Sequence, residues 1–434
     1  MLRKLNCHAA RIGILLTITA LIAAMAGCDG HNPPPSQNLE IRTWYDLDTV
    51  RNNLEGNHIL MNDIDSTTLG YEELASPTAN EGKGWQPIVV RTSAMMLGLM
   101  GTLDGQGYEI RDLFINRPDE DFVGLFGFVD GGVVKDIGVV NAIVTGGATD
   151  NGGVGSLVGD NCGTVTNSYS AGNVNGDSSV GGLVGCNCFG ATVSNSYSIA
   201  SVSSGGWAGG LVGSNAGTVS NSYCSGRVTG HDYVGGLVGF NGAGGFAAIV
   251  SDSYSSANVT GNKHVGGLVG ENGFLWADVG EDSTVSNSYS TGNVTGDEYV
   301  GGLVGENWLG STLRDCYSTC NVTGNWRVGG LVGSNAGTVS NCYSSGSVTG
   351  NYVVGGLVGG SGGTVSDSFW DTETSGLTYS FGGTGETTAE MQDVATFSGG
   401  RWNIMAVANA DTRNRFYVWN IVDGVTYPFL IWEV

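Results

Sequence analysis

Short Val-rich segments alternate with Gly, Asn and Ser through the middle of the chain. The pentapeptide Gly-Gly-Leu-Val-Gly begins at residues 181, 209, 235, 266, 301, 329 and 355, and a variant begins at Gly155. The intervals are therefore 26, 28, 26, 31, 35, 28 and 26 residues. Two further segments recur in every unit, such as Thr-Val-Ser-Asn-Ser-Tyr at 218–223 and Arg-Val-Thr-Gly at 227–230. β-Branched residues between turn formers predict three short strands a unit.

The repeat length selects the architecture. A propeller blade needs about 40 residues, and the density of Gly disfavours helical repeats. A repeat of 26 residues fits one turn of a parallel β-solenoid, in which equivalent residues stack about 4.8 Å apart. The sequence predicts an all-β parallel β-solenoid (β-helix) of about eight to nine 26-residue-type coils, with N- and C-terminal caps.

Two polar columns follow from aligning the units. We expect one Asn column to form hydrogen bonds from coil to coil; it holds Asn161, Asn187, Asn215, Asn241, Asn272, Asn307 and Asn335. A Tyr column holds residues 169, 197, 223, 254, 289, 317 and 343 and ends at Phe369. Strict alternation puts Val219, Asn221 and Tyr223 on one side of a strand. Taking the Val side as inward predicts that these Tyr residues are inward and that Ser220 and Ser222 face out.

The repeated unit resembles the Glug-motif repeat of bacterial and archaeal surface proteins. The resemblance covers about residues 124–369, and its residues are GGLVG-x-N followed by TVSNSYS-x-G-x-VTG. Segments 60–65 and 103–108 resemble those that precede such arrays, and 369–376 and 427–430 resemble their endings. The resemblance implies a secreted or cell-surface protein with an adhesive role, no enzyme activity and no agreed ligand.

The N-terminus predicts where the protein is located. Three basic residues precede the apolar stretch 12–26, which is too short for a membrane span of about 20 residues and is typical of a secretory signal peptide. Residues 25–28, Met-Ala-Gly-Cys, resemble the bacterial lipobox and predict lipidation of Cys28. Ordinary cleavage near Gly27 is the alternative. The sequence predicts an extracytoplasmic, membrane-anchored protein at the cell surface, with the membrane as its partner through an N-terminal lipid.

The predicted domain organisation has five parts. These are a signal peptide (1–27), a lipidated Pro-rich tether (28–38), an N-terminal cap with irregular β-helix coils (39–123), a Glug-type repeat solenoid (124–369) and a C-terminal cap (370–434). In the first cap, Thr43 is predicted to begin an amphipathic helix whose inward residues include Trp44 and Leu47. In the second, Thr388 is predicted to cap a helix that extends through Phe397.

Charge and composition exclude several classes of function. Lys plus Arg number 17 and Asp plus Glu number 40, so the net charge of -23 excludes nucleic acid as a partner. Asp252, Asp315 and Asp367 share a column but not adjacent coils, and we interpret them as replacements for Asn. The sequence predicts no enzyme, no cofactor and no metal site, and the acidic residues Asp278, Glu281 and Asp282 are interpreted as a solvated loop. The rival interpretations are a β-helix polysaccharide-degrading enzyme and a passive structural spacer.

Two pairs of cysteines occupy equivalent positions in adjacent units. Cys162 aligns with Cys188, and Cys316 aligns with Cys342. Neighbouring coils about 4.8 Å apart fall within the disulfide range of about 4.4–6.8 Å between Cα atoms. Each pair is either a disulfide of an extracytoplasmic protein or a pair of small residues in place of Ser. The column of the second pair is expected to face outward.

Aromatic residues suggest a binding surface. The position before the Val that precedes Gly-Gly-Leu-Val-Gly is expected to face outward, and it holds Trp207, Tyr233, His264 and Tyr299 in consecutive coils. Four rings at coil spacing give a strip about 14 Å long, suited to sugar faces or an apolar partner. Insertions between the Asn column and the Thr-Val segment add Phe246, Phe274, Trp276 and Trp308. We expect these residues to bind surface glycans or other surface proteins in cell-surface adhesion; the alternative is that the loop aromatics pack on one another.

Overall fold

The structure is a computed structural model that describes residues 39–91, 95–147, 152–273 and 282–433. The predicted signal peptide, Cys28 and the tether lie outside these residues. So do Phe274 and Trp276 of the predicted binding surface, and Asp278 and Glu281 of the acidic loop.

The described chain winds into a parallel β-solenoid, as the repeat predicts. Each regular coil contributes to four parallel sheets, which we call sheets I to IV in the order in which one repeat visits them. Equivalent residues pair in register between coils, so Val238 faces Val269 and Asn241 faces Asn272. Sheet II contains nine strands, which corresponds to about nine turns. The all-β fold class is confirmed.

The strands of the four sheets are as follows. Sheet I contains Val180–Gly181, Ala208–Gly209, Asp232–Gly235, Lys263–Gly266, Glu298–Gly301, Trp326–Gly329 and Tyr352–Gly355. Sheet II contains Phe126–Val129, Val158–Asn161, Val184–Asn187, Val212–Asn215, Val238–Asn241, Val269–Asn272, Val304–Asn307, Val332–Asn335 and Val358–Ser361. Sheet III contains Leu39–Ile41, Asn57–Leu60, Thr102–Asp104, Val133–Lys135, Thr164–Thr166, Thr192–Ser194, Thr218–Ser220, Ile249–Ser251, Thr284–Ser286, Thr312–Arg314, Thr338–Ser340 and Thr364–Ser366.

Sheet IV receives two short strands from most coils. It contains Glu109–Arg111, Phe114–Asn116, Gly138–Thr145, Tyr169–Gly176, Tyr197–Ser198, Ser201–Ser204, Tyr223–Cys224, Arg227–Gly230, Tyr254–Ser255, Asn258–Thr260, Tyr289–Ser290, Asn293–Thr295, Tyr317–Ser318, Asn321–Thr323, Tyr343–Ser344, Val348–Thr349, Phe369–Asp371 and Thr384–Glu386. Outside the four sheets, Val90–Arg91 pairs with Met96–Leu97, and Ile404–Ala406, Trp419–Ile421 and Phe429–Leu430 form a small sheet.

The Gly pair of each repeat allows neighbouring coils to approach closely. A Cβ atom on Gly236 would overlap the carbonyl oxygen of Gly267 in the next coil. Gly236 and Gly267 do not have positive φ values. The Gly pair is therefore required because it lacks side chains, and not because of a left-handed backbone.

The Asn column forms a continuous ladder inside the solenoid. Each Nδ2 donates to the Oδ1 of the next Asn over 2.7–2.8 Å, from Asn161 to Asn335. All seven side chains are buried, and several Nδ2 groups also donate to backbone carbonyls. The ladder therefore satisfies polar groups that burial would otherwise leave without partners.

The inward assignment of the Tyr column is wrong. Asn221 has a φ of 49°, and this left-handed residue resets the alternation after Val219. Ser222 is therefore buried, Asn221 is exposed and Tyr223 is half-buried on the outer surface. The Tyr rings stack along the solenoid from Tyr169 to Tyr343, with centroids 4.8–5.0 Å apart and planes within 7° of parallel.

The N-terminal helix forms as the sequence predicts. Trp44–Thr49 is an α-helix with Thr43 as its N-cap and Asp46 completing a capping box, and the 3-10 turn Val50–Asn52 follows. Trp44 and Leu47 are fully buried. The remaining short helices before the repeats are Tyr71–Leu74 and Ala79–Gly82, and a 3-10 turn lies at Ala243–Gly245.

The C-terminal segment folds back along the side of the solenoid. Its helices are Thr372–Ser375, Thr388–Met391 and Val394–Gly399. Thr387 and Asp393 cap the last two helices, so the single helix predicted from Thr388 to Phe397 is wrong. Trp432 donates to the carbonyl of Asn287 at 3.1 Å, which places the chain end beside a coil well before the last repeat.

Candidate functional site

Trp207, Tyr233, His264 and Tyr299, which we call the ring strip, lie side by side on the outer surface. Each precedes a fully buried residue of sheet I and is half-buried itself. His264 stacks on Tyr233 with ring centroids 4.8 Å apart and on Tyr299 at 4.7 Å. Trp207 meets Tyr233 edge-on at 6.3 Å, and Trp326 meets Tyr299 edge-on at 4.9 Å. The sequence thus locates a real row of rings.

The stacking changes what the ring strip can bind. Both faces of the His264 ring are covered by its neighbours, and the planes deviate from parallel by only 12° and 3°. A sugar therefore cannot lie on that ring face, contrary to the expected use of sugar-face stacking along the strip. Ring edges and the hydroxyl groups of Tyr233 and Tyr299 are what the central strip offers a ligand.

The backbone of the ring strip is strained. Tyr233, His264 and Tyr299 have φ values of 56°, 52° and 57°. Gly and Asn adopt this left-handed region readily, whereas larger residues adopt it at a cost of roughly 1–2 kcal/mol. Ser179, Arg327 and Val353 of the same column are also left-handed, so this backbone conformation belongs to the repeat and not to the rings alone. The sequence gives no sign of this strain, because the same column reads as an ordinary strand position.

A second column, most of whose side chains are buried, lies directly against the ring strip. It is the third position of the Val-Gly-x-Asn strands of sheet II, and it places Phe240 5.2 Å from the Trp207 ring. Nδ1 of His264 lies 3.3 Å from Oε2 of Glu271 and 3.0 Å from Oε2 of Glu306. Sequence reasoning missed this cluster.

The two glutamates of the cluster are neighbours across coils. Glu271 pairs directly with Glu306 in the ladder of sheet II, and their exposed fractions are 4% and 6%. Burial, and then repulsion by Glu306, raise the pKa of Glu271 well above its usual range, and the side chain of Trp308 opposes the rise. The cluster is thus a pair of adjacent, buried carboxyl groups beside a half-buried imidazole.

Of the loop aromatics that the structure describes, Phe246 packs on the solenoid. Phe246 and Trp207 pack against the buried residues Ala216, Phe240 and Ala243. Phe189 contacts Phe246 at 4.7 Å between ring centroids but keeps 62% of its surface exposed. Phe246 therefore connects the insertion loop to the ring strip, and Trp308 lies beside Glu271.

The three Asp residues of the acidic column lie in alternate coils, with Asn287 and Asn341 between them. Asp252, Asp315 and Asp367 all have left-handed backbones, which explains why Asn and Asp alternate there. Asn287 donates to Oδ1 of Asp252 at 3.2 Å, so it separates Asp252 from Asp315 along the column. Asp315 also accepts from the indole of Trp419. Of the three carboxylates, that of Asp315 therefore also contacts the C-terminal segment.

The two cysteine pairs differ in the structure. Cys162 and Cys188 form a disulfide with 4.9 Å between Cα atoms. Cys316 and Cys342 are reduced and fully buried, so their expected outward orientation is wrong. They occupy the Ser222 column, which the left-handed corner turns inward, and their Sγ atoms contact backbone carbonyls as the Ser hydroxyls do. Asp160 and Cys186 lie beside Cys188, but a disulfide sulfur is not a thiolate ligand.

Comparison with known proteins places the repeats in a recognised class. The family model of the GLUG motif matches four consecutive segments, residues 230–260, 261–295, 296–323 and 324–349. These four coils match the GLUG motif. The ring strip from Tyr233 to Tyr299 and the cluster around His264 lie within them.

Two relatives match part of the chain. A protein of Evansella cellulosilytica named as a candidate Gly-rich membrane protein is 35% identical over 38% of this chain and 19% of its own length. Halomucin of Haloquadratum walsbyi is 34% identical over 34% of this chain and 2% of its own length. The chain therefore spans less than a fifth of these relatives.

One similar solved structure covers most of the chain. The chain is similar to a Bacteroides ovatus protein titled as a candidate immunoglobulin A1 protease, with 19% identity, a TM-score of 0.42, and coverage of 94% of this chain and 96% of that one.

Among the described residues, none of the helices has both the length and the apolar character needed to cross a bilayer.

Proposed function

We propose that this protein is a membrane-tethered, extracytoplasmic solenoid that adheres to glycans at the cell surface. The GLUG repeats and the names of the two relatives, a membrane protein and a halomucin, support a surface role. The predicted lipidation of Cys28 would supply the tether. The net charge of -23 disfavours polyanionic partners such as nucleic acids.

The observation that carries the proposal is the ring strip. Its central rings stack in one row, although the left-handed backbone at Tyr233, His264 and Tyr299 favours Gly or Asn. A row of ring edges and phenol hydroxyls is suited to the hydroxyl groups and C–H edges of an extended sugar chain. Lys263 and Glu298 form a salt bridge in the adjacent column of sheet I, which adds polar groups beside the rings.

The positions of the carboxyl groups favour binding of a glycan without cleavage of its glycosidic bonds. Hydrolysis of a glycosidic bond requires two carboxyl groups that reach the bond. Glu271 and Glu306 are close to each other but buried, with 4% and 6% exposed. Asp252 and Asp315 are separated by a coil. A polysaccharide-degrading activity lost in Glu306→Gln would instead support the enzyme alternative.

The test is binding of the mature protein to a glycan array and to cells. We expect the double variant Tyr233→Ala, Tyr299→Ala to lose at least about tenfold in apparent affinity, because both rings that flank His264 disappear. Tyr379→Ala is the matched control, since that ring is 57% exposed and lies in the C-terminal segment. Equal binding by the double variant, the control and the parent, with native circular dichroism, would remove the ring strip from the adhesive surface.

A further inference from the structure

The cluster of His264, Glu271 and Glu306 has the composition of a metal site. The side chains supply an imidazole nitrogen and two carboxylate oxygens from two adjacent coils, and their potential ligand atoms all lie within 4.8 Å of one another. Nδ1 of His264 is buried and makes no hydrogen bond with acceptable geometry to the described residues, although both carboxylates lie within 3.3 Å. Within the described part of the chain, this nitrogen therefore has neighbours of the right kind but no hydrogen-bond partner.

A cation at this position would relieve an unfavourable arrangement of carboxylates. Glu271 and Glu306 are directly paired across parallel strands, where like charges are destabilising, and both are buried. The nearby cations are engaged elsewhere. Lys263 pairs with Glu298 at 2.9 Å, and Arg327 donates to Ser334 at 2.8 Å while lying over the Trp326 ring.

The spacing of the donors fits a small divalent ion. Metal–ligand bonds of about 2.0–2.2 Å place ligand atoms about 2.8–3.5 Å apart in octahedral or tetrahedral geometry. The distances from Nδ1 to the two carboxylates are 3.3 Å and 3.0 Å. Tyr233 and Tyr299 hold the imidazole plane between them, so the nitrogen is already oriented towards the carboxylates.

We propose that His264 Nδ1 and the carboxylates of Glu271 and Glu306 bind one first-row divalent transition-metal ion such as Zn²⁺. An imidazole ligand favours Zn²⁺ and its neighbours over Ca²⁺ and Mg²⁺, which prefer oxygen ligands only. One divalent cation would neutralise both carboxylates, whereas a protonated imidazole would neutralise one. Three protein ligands leave a coordination position for water. The proposal does not depend on the ring strip binding a glycan.

The experiment measures Zn²⁺ binding by the metal-free full chain without an affinity tag. We expect one Zn²⁺ per chain in calorimetry and a higher melting temperature with Zn²⁺ but not with Ca²⁺. The variant His264→Phe keeps a ring between Tyr233 and Tyr299 but removes Nδ1. It should weaken Zn²⁺ binding at least about tenfold, as should Glu306→Gln.

Controls separate this site from incidental binding. His231→Ala removes an exposed imidazole beside Asp232, and Asp160→Asn alters the polar group near the disulfide; neither should change the stoichiometry. With Co²⁺ in place of Zn²⁺, X-ray absorption should show one nitrogen ligand of imidazole type. If His264→Phe or Glu306→Gln binds Zn²⁺ as the parent does, or if the parent binds none, the cluster is a His–Glu ion pair and the proposal is wrong. Because Glu306→Gln is nearly isosteric, misfolding of His264→Phe would not prevent a decision.

Discussion

Nδ2 of Asn215 donates a hydrogen bond to Oδ1 of Asn241 at 2.8 Å, and both side chains are buried inside the solenoid. Asn241 in turn donates to Asn272 at 2.7 Å. We expect Asn241→Ala to lower the free energy of unfolding by about 2–4 kcal/mol, because it removes two ladder bonds and leaves buried polar atoms without partners. Urea denaturation followed by circular dichroism measures the change.

The control for the Asn ladder is Asn221→Gly. Asn221 is exposed and has a φ of 49°, which Gly adopts freely, so the variant should stay within about 0.5 kcal/mol of the parent. Equal destabilisation by the two variants would contradict a special role for the buried ladder.

Two tyrosines of the outer stack should differ in their contribution to stability. Tyr343 is 2% exposed beneath the C-terminal segment, and its hydroxyl donates to the carbonyl of Pro428 at 2.7 Å. We expect Tyr343→Ala to cost about 3–5 kcal/mol, as loss of a large buried side chain does. Tyr223→Ala should lower the free energy of unfolding by only about 1–2 kcal/mol, because that ring is only half-buried on the outer surface. Denaturation midpoints of the two variants test this, and a reversed order would contradict the outward assignment.

The disulfide between Cys162 and Cys188 closes a segment with a sequence separation of 26. Without this disulfide the unfolded chain gains conformational freedom, so the free energy of unfolding should fall by about 3 kcal/mol. We expect the variant Cys162→Ser, Cys188→Ser to lose that amount in chemical denaturation, and reductant to have the same effect on the parent. The variant Cys316→Ser, Cys342→Ser is the control, since it restores the usual residue of its column and should change stability by less than about 1 kcal/mol. Peptide mapping that finds Cys162 reduced in the purified protein would contradict the pairing.

The pH dependence of the C-terminal segment should include Glu433. Burial raises the pKa of Glu433 to about 7, while hydrogen bonds from Leu430 N–H and the Tyr317 hydroxyl act in the opposite direction. The folded state therefore holds a proton between the ordinary pKa of 4.5 and about 7 that the unfolded state releases. The free energy of unfolding should fall as pH rises through that range, by no more than about 2 kcal/mol given the partial exposure of the side chain.

Glu433→Gln isolates that contribution. It should remove the part of the pH dependence that lies between about 4.5 and 7, as measured by tryptophan fluorescence during urea unfolding at several pH values. A variant with the same slope as the parent would show that Glu433 does not titrate in this range.

The solenoid could be predicted because every coil repeats the same constraints. The buried Val219 column and the Asn ladder follow directly from alignment of the repeats. The orientation of Tyr223 and Cys316 could not be read in the same way. One left-handed residue, Asn221 or its equivalent, reverses the sides that simple alternation assigns.

The candidate site could be predicted only in part, because the repeat shows which residues share a column but not how two sheets meet. The row from Trp207 to Tyr299 is visible because its members share one column. Glu271 and Glu306 also share a column, at the third position of Val-Gly-x-Asn, but their proximity to His264 depends on how sheets I and II meet. The C-terminal segment has no repeat, so its path back to Asn287 is determined only by tertiary contacts.

Near-identical coils create a problem of register during folding. A chain that pairs Val238 with the wrong neighbour by one whole repeat would still align Val with Val and Asn with Asn, so the ladders alone barely distinguish correct from slipped pairings. The features that differ between coils carry this information. The Cys162–Cys188 bond and the contact of Trp432 with Asn287 each tie one particular coil, and the insertions differ in length from unit to unit, so slippage by one repeat disrupts all three. The irregularities of the repeat thus serve as position markers that select one native winding.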